Sequence, residues 1–174
     1  MIDAKKILII GSAGSGKTTF ALKLGELTNL PIIHLDKEYW LPNWEKPNHN
    51  DWNNKVDTLL KNECWIMDGN YRSTMDKRFK AADLVIFLDY KRSTCIKGVL
   101  KRVFNNNHKQ RHDLTEGCIE KLDFSFLKWV WDFPKKYRPE ILDKLNKLDI
   151  PVVTFKTRKE SEIFLKKLNN EKEM

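Results

Sequence analysis

Ile7-Leu8-Ile9-Ile10, followed by Gly11-Ser12-Ala13-Gly14-Ser15-Gly16-Lys17-Thr18, is the stretch that decides the fold. The aliphatic run reads as a buried strand, and the eight residues after it match G-x-x-x-x-G-K-[ST] in full. Lys17–Thr28 continues with helical spacing, so the motif sits between a predicted strand and a predicted helix, the context it requires. Glycines let the backbone wrap an anion with several N–H groups pointing inward, and the helix N-terminus adds partial positive charge. Gly11, Ser12, Ala13, Gly14, Ser15, Gly16, Lys17 and Thr18, with Thr19 after them, are therefore read as a phosphate-binding loop. Lys17 is expected to reach the terminal phosphates of a nucleoside triphosphate. Thr18 offers the hydroxyl oxygen that Mg²⁺ prefers in its octahedral shell.

Outward from this loop, four more short apolar runs alternate with helical segments: Pro31–Leu35, Cys64–Asp68, Leu84–Asp89 and Ile150–Phe155. With Lys6–Ile10 they make five near-continuous aliphatic strands, the pattern of a parallel sheet covered on both faces by helices. Helices are predicted at Lys17–Thr28, Asn50–Lys61 (with Asn48 or Asn50 as the cap), Ser73–Ala81 and Arg92–Phe104, and about Pro139 to Leu148. A further helical pattern runs from Leu114 through Ile119, Leu122 and Trp131 until Pro134 ends or kinks it. Thr157 and Glu160 form a capping box for a last helix whose Ile163, Phe164 and Leu168 face the core. Asp36–His49 reads as irregular, and Asn105 to His108 as an exposed turn.

A chain of 174 residues fits one domain, 1–174, and 41% hydrophobic content is enough for a core. Three widely spaced cysteines, Cys64, Cys95 and Cys118, form neither a disulfide framework nor a C-x-x-C pair, so a reducing cytoplasm is the expected location. The apolar run Ile7–Ile10 is too short for a signal peptide or a membrane span. The net charge is +8, and it is lopsided: residues 1–90 carry 12 basic and 12 acidic side chains, residues 91–174 carry 20 and 12. Such an excess points to phosphates, nucleic acid or an anionic surface.

A phosphate loop alone does not separate kinases from GTPases or motor ATPases. Asn146-Lys147-Leu148-Asp149 imitates a guanine-reading motif, but it precedes the last strand instead of following one, so a solvated helix end is the preferred reading. Trp65-Ile66-Met67-Asp68-Gly69-Asn70-Tyr71-Arg72 is a strand ending in a carboxylate, a glycine and then a guanidinium. It resembles the Asp-Gly-Phe-Pro-Arg segment of adenylate kinase-type nucleoside monophosphate kinases, with Asn70 and Tyr71 in place of Phe and Pro. The resemblance implies that Asp68 holds Mg²⁺ through water and that Arg72 binds the phosphate of the acceptor. Adding His34-Leu35-Asp36, Tyr39-Trp40-x-Pro42-x-Trp44, Arg111-x-Asp113, Glu116-Gly117-Cys118 and Trp129-x-Trp131-x-Phe133-Pro134, nearly the whole chain is similar to the FlaR-related "DNA topology modulation" proteins, a branch of the adenylate kinase-like P-loop family. This implies a three-layer α/β P-loop NTPase fold with a five-stranded parallel sheet in order 2-3-1-4-5. It also implies ATP binding with Mg²⁺ and phosphoryl transfer to a small-molecule acceptor that the family does not name.

Asp36 ends the second strand where such enzymes begin their acceptor-binding segment, here about 36–62. It could accept a hydroxyl hydrogen bond or proton, or merely cap the next helix. Tyr39, Trp40, Trp44 and Trp52 could stack on a base or cover a small core. Residues 91–111 hold seven basic and no acidic residues. In adenylate kinase-like enzymes this region is the phosphate-contacting helix and lid, the lid here being short, about 103–116. The resemblance places Arg102 at the end of that helix and Arg111 in the lid, both on ATP phosphates; Arg92 and Lys97 read as a solvated face. Asp89 ranks below Asp68 as a metal-assisting carboxylate. His108, His112 and Cys118 lack the four-ligand spacing of a zinc site. A nucleic-acid-binding protein and an ATP-hydrolysing switch are the rival readings, without a helix-turn-helix or RNA-recognition signature for the former. Monomer and homodimer both remain open.

Overall fold

A computed structural model describes residues 3–105, 115–118 and 123–173. Along the chain lie β1 (Lys6–Gly11), α1 (Lys17–Thr28), β2 (Ile32–His34), α2 (Leu35–Tyr39), α3 (His49–Leu60), β3 (Trp65–Asp68), α4 (Met75–Ala81), β4 (Leu84–Leu88), α5 (Arg92–Asn105), α6 (Phe124–Lys136), α7 (Arg138–Leu145), β5 (Val152–Phe155) and α8 (Arg158–Glu173). The strands form one parallel sheet in the order β2-β3-β1-β4-β5, with β1 aligned to β3 through Ile9 opposite Asp68 and to β4 through Gly11 opposite Leu88. This is the expected 2-3-1-4-5 sheet. It brings the carboxyl ends of β1 and β3, and so the phosphate loop and Asp68, side by side.

The aliphatic runs are continuous because both faces of the sheet are covered. Ile7 and Ile9 of β1 pack with Phe20 and Leu24 of α1, Val99 of α5 and Leu165 of α8, while Leu8 and Ile10 pack with Trp52 and Val56 of α3, Phe79 of α4 and Ile141 of α7. Helix α6 lies across the seam, giving Val130 to one side and Phe133 to the other. Each such fully buried aliphatic side chain contributes about 2 kcal/mol. Asn48 caps α3 by accepting from the Asp51 N–H at 2.8 Å. Thr157 and Glu160 form the expected box at the start of α8, with the Glu160 N–H donating to the Thr157 hydroxyl at 3.3 Å.

Several expectations change. The stretch 36–49 is not irregular throughout: α2 and a 3-10 turn at Pro42–Trp44 occupy it. The segment 73–81 splits into a 3-10 turn, Arg72–Thr74, and α4. Helix α5 runs through Asn105 instead of stopping before it, and Asn106 to His108 lie outside the described residues. Asp123 caps α6, accepting from the Ser125 N–H at 2.8 Å, while Leu114, Ile119 and Leu122 also lie outside the described residues. Pro134 does not end α6, which continues to Lys136; a proline this near the C-terminus disturbs only the last turn. On α8 the buried residues among those described are Ser161 and Leu165, with Phe164 and Leu168 partly buried, whereas Ile163 is exposed because it falls on the far side of the helix. No helix among the described residues is long and apolar enough to cross a membrane.

Candidate functional site

β1 hands the chain to the phosphate loop at Gly11, and α1 takes it up at Lys17. Gly16, the residue before α1, is left-handed (φ 91°) and caps the helix with no side chain, so the first-turn N–H groups of α1 are left to an external anion. A Cβ on Gly16 would meet nothing within 4 Å, so the cradle opens into space. The opposite side of the loop is tight. A Cβ on Gly14 would lie 2.1 Å from the Cys95 carbonyl oxygen, and one on Gly98 would lie 2.0 Å from the Gly14 oxygen, so the loop rests directly on the backbone of α5. The Lys17 ammonium is folded back, donating to the carbonyls of Gly11 (2.9 Å) and Ser12 (3.1 Å). Burial lowers its pKa, and the charges of Asp36 and Asp68 oppose that shift.

Asp68, at the end of β3, is buried. Its Oδ2 accepts from the Thr18 hydroxyl at 2.9 Å, and its Oδ1 lies 2.7 Å from His34 Nδ1. Thr18 and Asp68 are thus brought together across the end of the sheet. The ladder between β1 and β3 is extended by a side chain: Gly11 N–H donates to Asn70 Oδ1 (3.1 Å) and the Asn70 amide donates to the Gly11 carbonyl (2.8 Å). Among the described residues no cluster of three or more His, Cys, Asp or Glu could hold a metal ion. The Thr18 and Asp68 oxygens fit a Mg²⁺ ion that draws its remaining ligands from phosphates and water, the habit of Mg²⁺ sites, and do not fit an all-protein cage.

Beyond Asp68 the cleft, about 1680 Å³, is walled by Asp36, Tyr71, Trp40 and Trp44. Asp36 does not serve as the N-cap of α2, where His34 stands. Its Oδ1 accepts from the Tyr71 hydroxyl at 2.7 Å, and burial, followed by the Asp36 charge and this hydrogen bond, pushes the Tyr71 pKa up. Tyr71 has φ 28°, a strained backbone for a non-glycine residue, and packs on Tyr39 (centroids 4.6 Å apart) and Trp52 (5.1 Å). Trp52 is a core residue at 2% exposure; of the four aromatics weighed, Trp40 and Trp44 line the cleft.

Arg72 is placed elsewhere. Its guanidinium donates to Glu140 and lies 5.3 Å over the Tyr137 ring, outside the cleft lining. Arg78 is fully buried and donates to the carbonyls of Gly69 (2.9 Å), Asn70 and Tyr71 (2.9 Å); burial lowers its pKa. Its charge-assisted bonds fix the loop that carries Asn70 and Tyr71.

On the other side, Lys101, Arg102 and Arg158 line the cleft. Arg102 lies 5.7 Å over the Phe126 ring, and Arg158 donates to the Gly14 carbonyl at 3.3 Å. Arg92 stacks 4.4 Å over Trp131 instead of pointing freely to solvent. Arg111, His108 and His112, with most of the expected lid, lie outside the described residues. Where the chain is described again, Thr115 Oγ1 donates to the carbonyls of Lys37 (2.9 Å) and Trp40, and Cys118 Sγ to that of Leu41 (3.3 Å). Asp89 is taken by a bidentate pair with Arg138 (2.7 and 2.8 Å) and by Lys156. His34, Asn70, Tyr71, Gly98 and Arg158 are among the site residues to which sequence reasoning assigned no role. Of these, His34, Asn70 and Tyr71 stood within the quoted segments.

No family model matches the sequence, and no curated protein matches it. Solved structures do match over nearly the whole chain. Shikimate kinase from Acinetobacter baumannii, in complex with shikimate, is 15% identical over 97% of this chain and 95% of that chain, with a TM-score of 0.60. Shikimate kinase from Bacteroides thetaiotaomicron is 16% identical over 98% and 99%, TM-score 0.58, and a gluconokinase from Sinorhizobium meliloti is 17% identical over 96% and 94%, TM-score 0.54. At these identities the likeness shows the fold and not the reaction. The chain folds as a three-layer α/β protein with a five-stranded parallel sheet in order 2-3-1-4-5, the architecture it has in common with these solved kinases.

Proposed function

We propose that the protein is an ATP-dependent phosphotransferase acting on a small molecule. The observation that carries this reading is the pairing of the Thr18 hydroxyl with Asp68 at 2.9 Å beside the open Gly16 cradle, with Asp36 on the facing wall of the same cleft. Bound ATP·Mg²⁺ would supply the transferable γ-phosphoryl and the cation that neutralises it. Gly11–Thr19 holds the phosphates through backbone N–H groups. Lys17 exchanges its two loop carbonyls for phosphate oxygens, Thr18 and Asp68 hold the metal, and Lys101, Arg102 and Arg158 add positive charge. Asp36, fixed by Tyr71, receives the acceptor's proton. Catalysis on this plan is positioning and charge stabilisation, with no covalent intermediate on the protein.

The finer assignments remain part of the proposal: membership of the FlaR-related, adenylate kinase-like branch, one domain over 1–174 with an acceptor segment at about 36–62, a lid at about 103–116 that brings in Arg111, and a cytoplasmic location. Within the basic run, Lys101 and Arg102 line the cleft and Arg92 lies on Trp131, which supports a nucleotide role over a nucleic-acid one. The test is transfer from labelled ATP·Mg²⁺ to a panel of small hydroxyl compounds, with Lys17→Ala as the control. Loss of transfer by at least about a hundredfold in a folded Lys17→Ala protein is expected. Full activity in that variant, or acceptor-independent hydrolysis as the sole reaction, overturns the reading.

A further inference from the structure

We infer that Asn70 is a positioning residue for the transfer: from a turn fixed by the buried guanidinium of Arg78, it holds the phosphate loop through Gly11 both before and after Lys17 releases that residue. This rests on the kinase reading above and deepens it.

Gly11 is where the sheet becomes the loop. On one side it is still paired with Leu88 of β4. On the other, β3 ends opposite Ile9, and the Gly69 N–H donates to the Ile9 carbonyl at 3.2 Å. One more turn of strand would satisfy Gly11 there. Instead the chain bends away, with φ 136° at Gly69 and 28° at Tyr71, and the Asn70 side chain takes the place of the strand. Its Oδ1 accepts from the Gly11 N–H (3.1 Å) and its amide N–H donates to the Gly11 carbonyl (2.8 Å), so a single side chain meets both polar groups of one loop residue. These partners also settle which way round the amide sits, because a backbone N–H only donates and a carbonyl only accepts.

The Gly11 carbonyl has a second donor, the Lys17 ammonium at 2.9 Å. When Lys17 turns to the phosphates of a nucleotide, that carbonyl loses a charged donor in a part-buried place. Asn70 keeps it satisfied, so the loop need not rearrange as the ligand arrives, and releasing Lys17 costs less. An apolar side chain at position 70 would withdraw this partner from both groups of Gly11.

Asn70 is fixed from behind. Arg78 is fully buried, with Nε donating to the Thr74 hydroxyl (3.3 Å), Nη1 to the Gly69 carbonyl (2.9 Å), and Nη2 to the carbonyls of Asn70 and, at 2.9 Å, Tyr71. Among the described residues no carboxylate pairs with it. A guanidinium buried without a counter-charge is costly, and an apolar side chain would fill the space more cheaply if packing were all that was needed. What the guanidinium does supply is one rigid, planar group on which three successive carbonyls converge. That sets the turn, and with it the direction of the Asn70 side chain.

The experiment uses the full-length protein with ADP·Mg²⁺ as the probe. Calorimetric titration measures its affinity, hydrogen exchange read by NMR follows the Gly11 amide, and urea unfolding gives the global stability. In the wild type the Gly11 amide is expected to be at least as protected with ADP·Mg²⁺ as without it. Asn70→Ala is expected to weaken ADP·Mg²⁺ by about tenfold and to speed Gly11 exchange by about tenfold, beyond what its loss of global stability accounts for. Arg78→Lys, whose ammonium cannot span three carbonyls, should shift both quantities in the same direction. Thr74→Val, which takes away only the hydroxyl partner, is the milder variant should that buried site not accept lysine. Leu145→Ala, a core truncation in α7 outside the cleft lining, should lower stability and leave the ADP·Mg²⁺ affinity within about twofold of wild type. If either quantity in Asn70→Ala stays within about twofold of wild type, the inference is overturned and the kinase reading stands. Loss of Gly11 protection on binding ADP·Mg²⁺ has the same consequence, as do wild-type values in the folded Arg78 and Thr74 variants. Failure of the wild type to bind ADP·Mg²⁺ or ATP·Mg²⁺ overturns both.

Discussion

Gly98→Ala puts a methyl group where the phosphate loop touches α5. The added Cβ would sit 2.0 Å from the Gly14 carbonyl oxygen and 2.9 Å from its carbon. An ordinary carbon–oxygen contact is about 3.3 Å, so loop and helix must part by about 1.3 Å. Parting a packed contact costs about 1–3 kcal/mol, and replacing glycine by alanine inside a helix returns about 1 kcal/mol, so the net loss of stability is about 0–2 kcal/mol. The functional loss is larger. A loop shifted by more than 1 Å carries its N–H groups outside the 2.7–3.2 Å range in which they bond phosphate oxygens, and each charge-assisted bond lost is worth about 1.5–3 kcal/mol. Losing one or two of them weakens ADP·Mg²⁺ by about tenfold to twenty-thousandfold. Urea unfolding and calorimetric titration with ADP·Mg²⁺ measure the two quantities, and exposed Ser93→Ala on the same helix serves as the control. A Gly98→Ala protein that gains about 1 kcal/mol from helix propensity and binds ADP·Mg²⁺ unchanged would refute the contact's role.

Three further outcomes are expected. The folded pKa of Lys17 lies below its ordinary 10.5, so between the two values the unfolded chain holds more protons and stability rises with pH. Lys17→Met removes this burdened charge; it should raise the melting temperature of the ligand-free protein at neutral pH and abolish the alkaline rise, and a lowered melting temperature would contradict this. At Asp89 burial raises the pKa but the bonds from Arg138 and Lys156 prevail, so the carboxyl titrates below its ordinary 3.8. Its contribution is present above that pH and lost as pH falls through the lower folded value; Asp89→Asn should cost about 1.5–3 kcal/mol at pH 7 in urea unfolding, with the difference from wild type shrinking below pH 4. Trp52→Ala should cost about 3–5 kcal/mol of stability, whereas Trp44→Ala should cost under about 1 kcal/mol; equal costs would mean that the core and cleft aromatics are wrongly divided.

The glycine-rich loop and the five strands were legible because each is carried by adjacent residues, a glycine spacing, an aliphatic run, a capping pair such as Thr157 and Glu160, while the order of the strands came from the resemblance alone. Asp68 was legible as the polar residue ending a strand that neighbours the loop strand. What the sequence hid depends on partners far along the chain. Gly98 is a helix glycine until Gly14 is set against it, and Arg158 is the start of α8 until its guanidinium reaches the same glycine. Arg72 shows the reverse failure. Its spacing after Asp68 is that of a phosphate ligand, yet the 3-10 turn after Tyr71 and the carboxylate of Glu140, 68 residues away, carry it out of the cleft.

The bonds from Thr115 and Cys118 to the carbonyls of Lys37, Trp40 and Leu41 fasten the cleft wall that carries Asp36, Trp40 and Trp44 to chain that follows the basic run in sequence. A ligand that shifts one side of that fastening does work on the other. Such coupling is reciprocal: whatever factor a bound acceptor adds to the affinity for nucleotide, the nucleotide returns to the acceptor. The two substrates would then enter as a linked pair, and the affinity of either one measured alone would understate its affinity in the working complex.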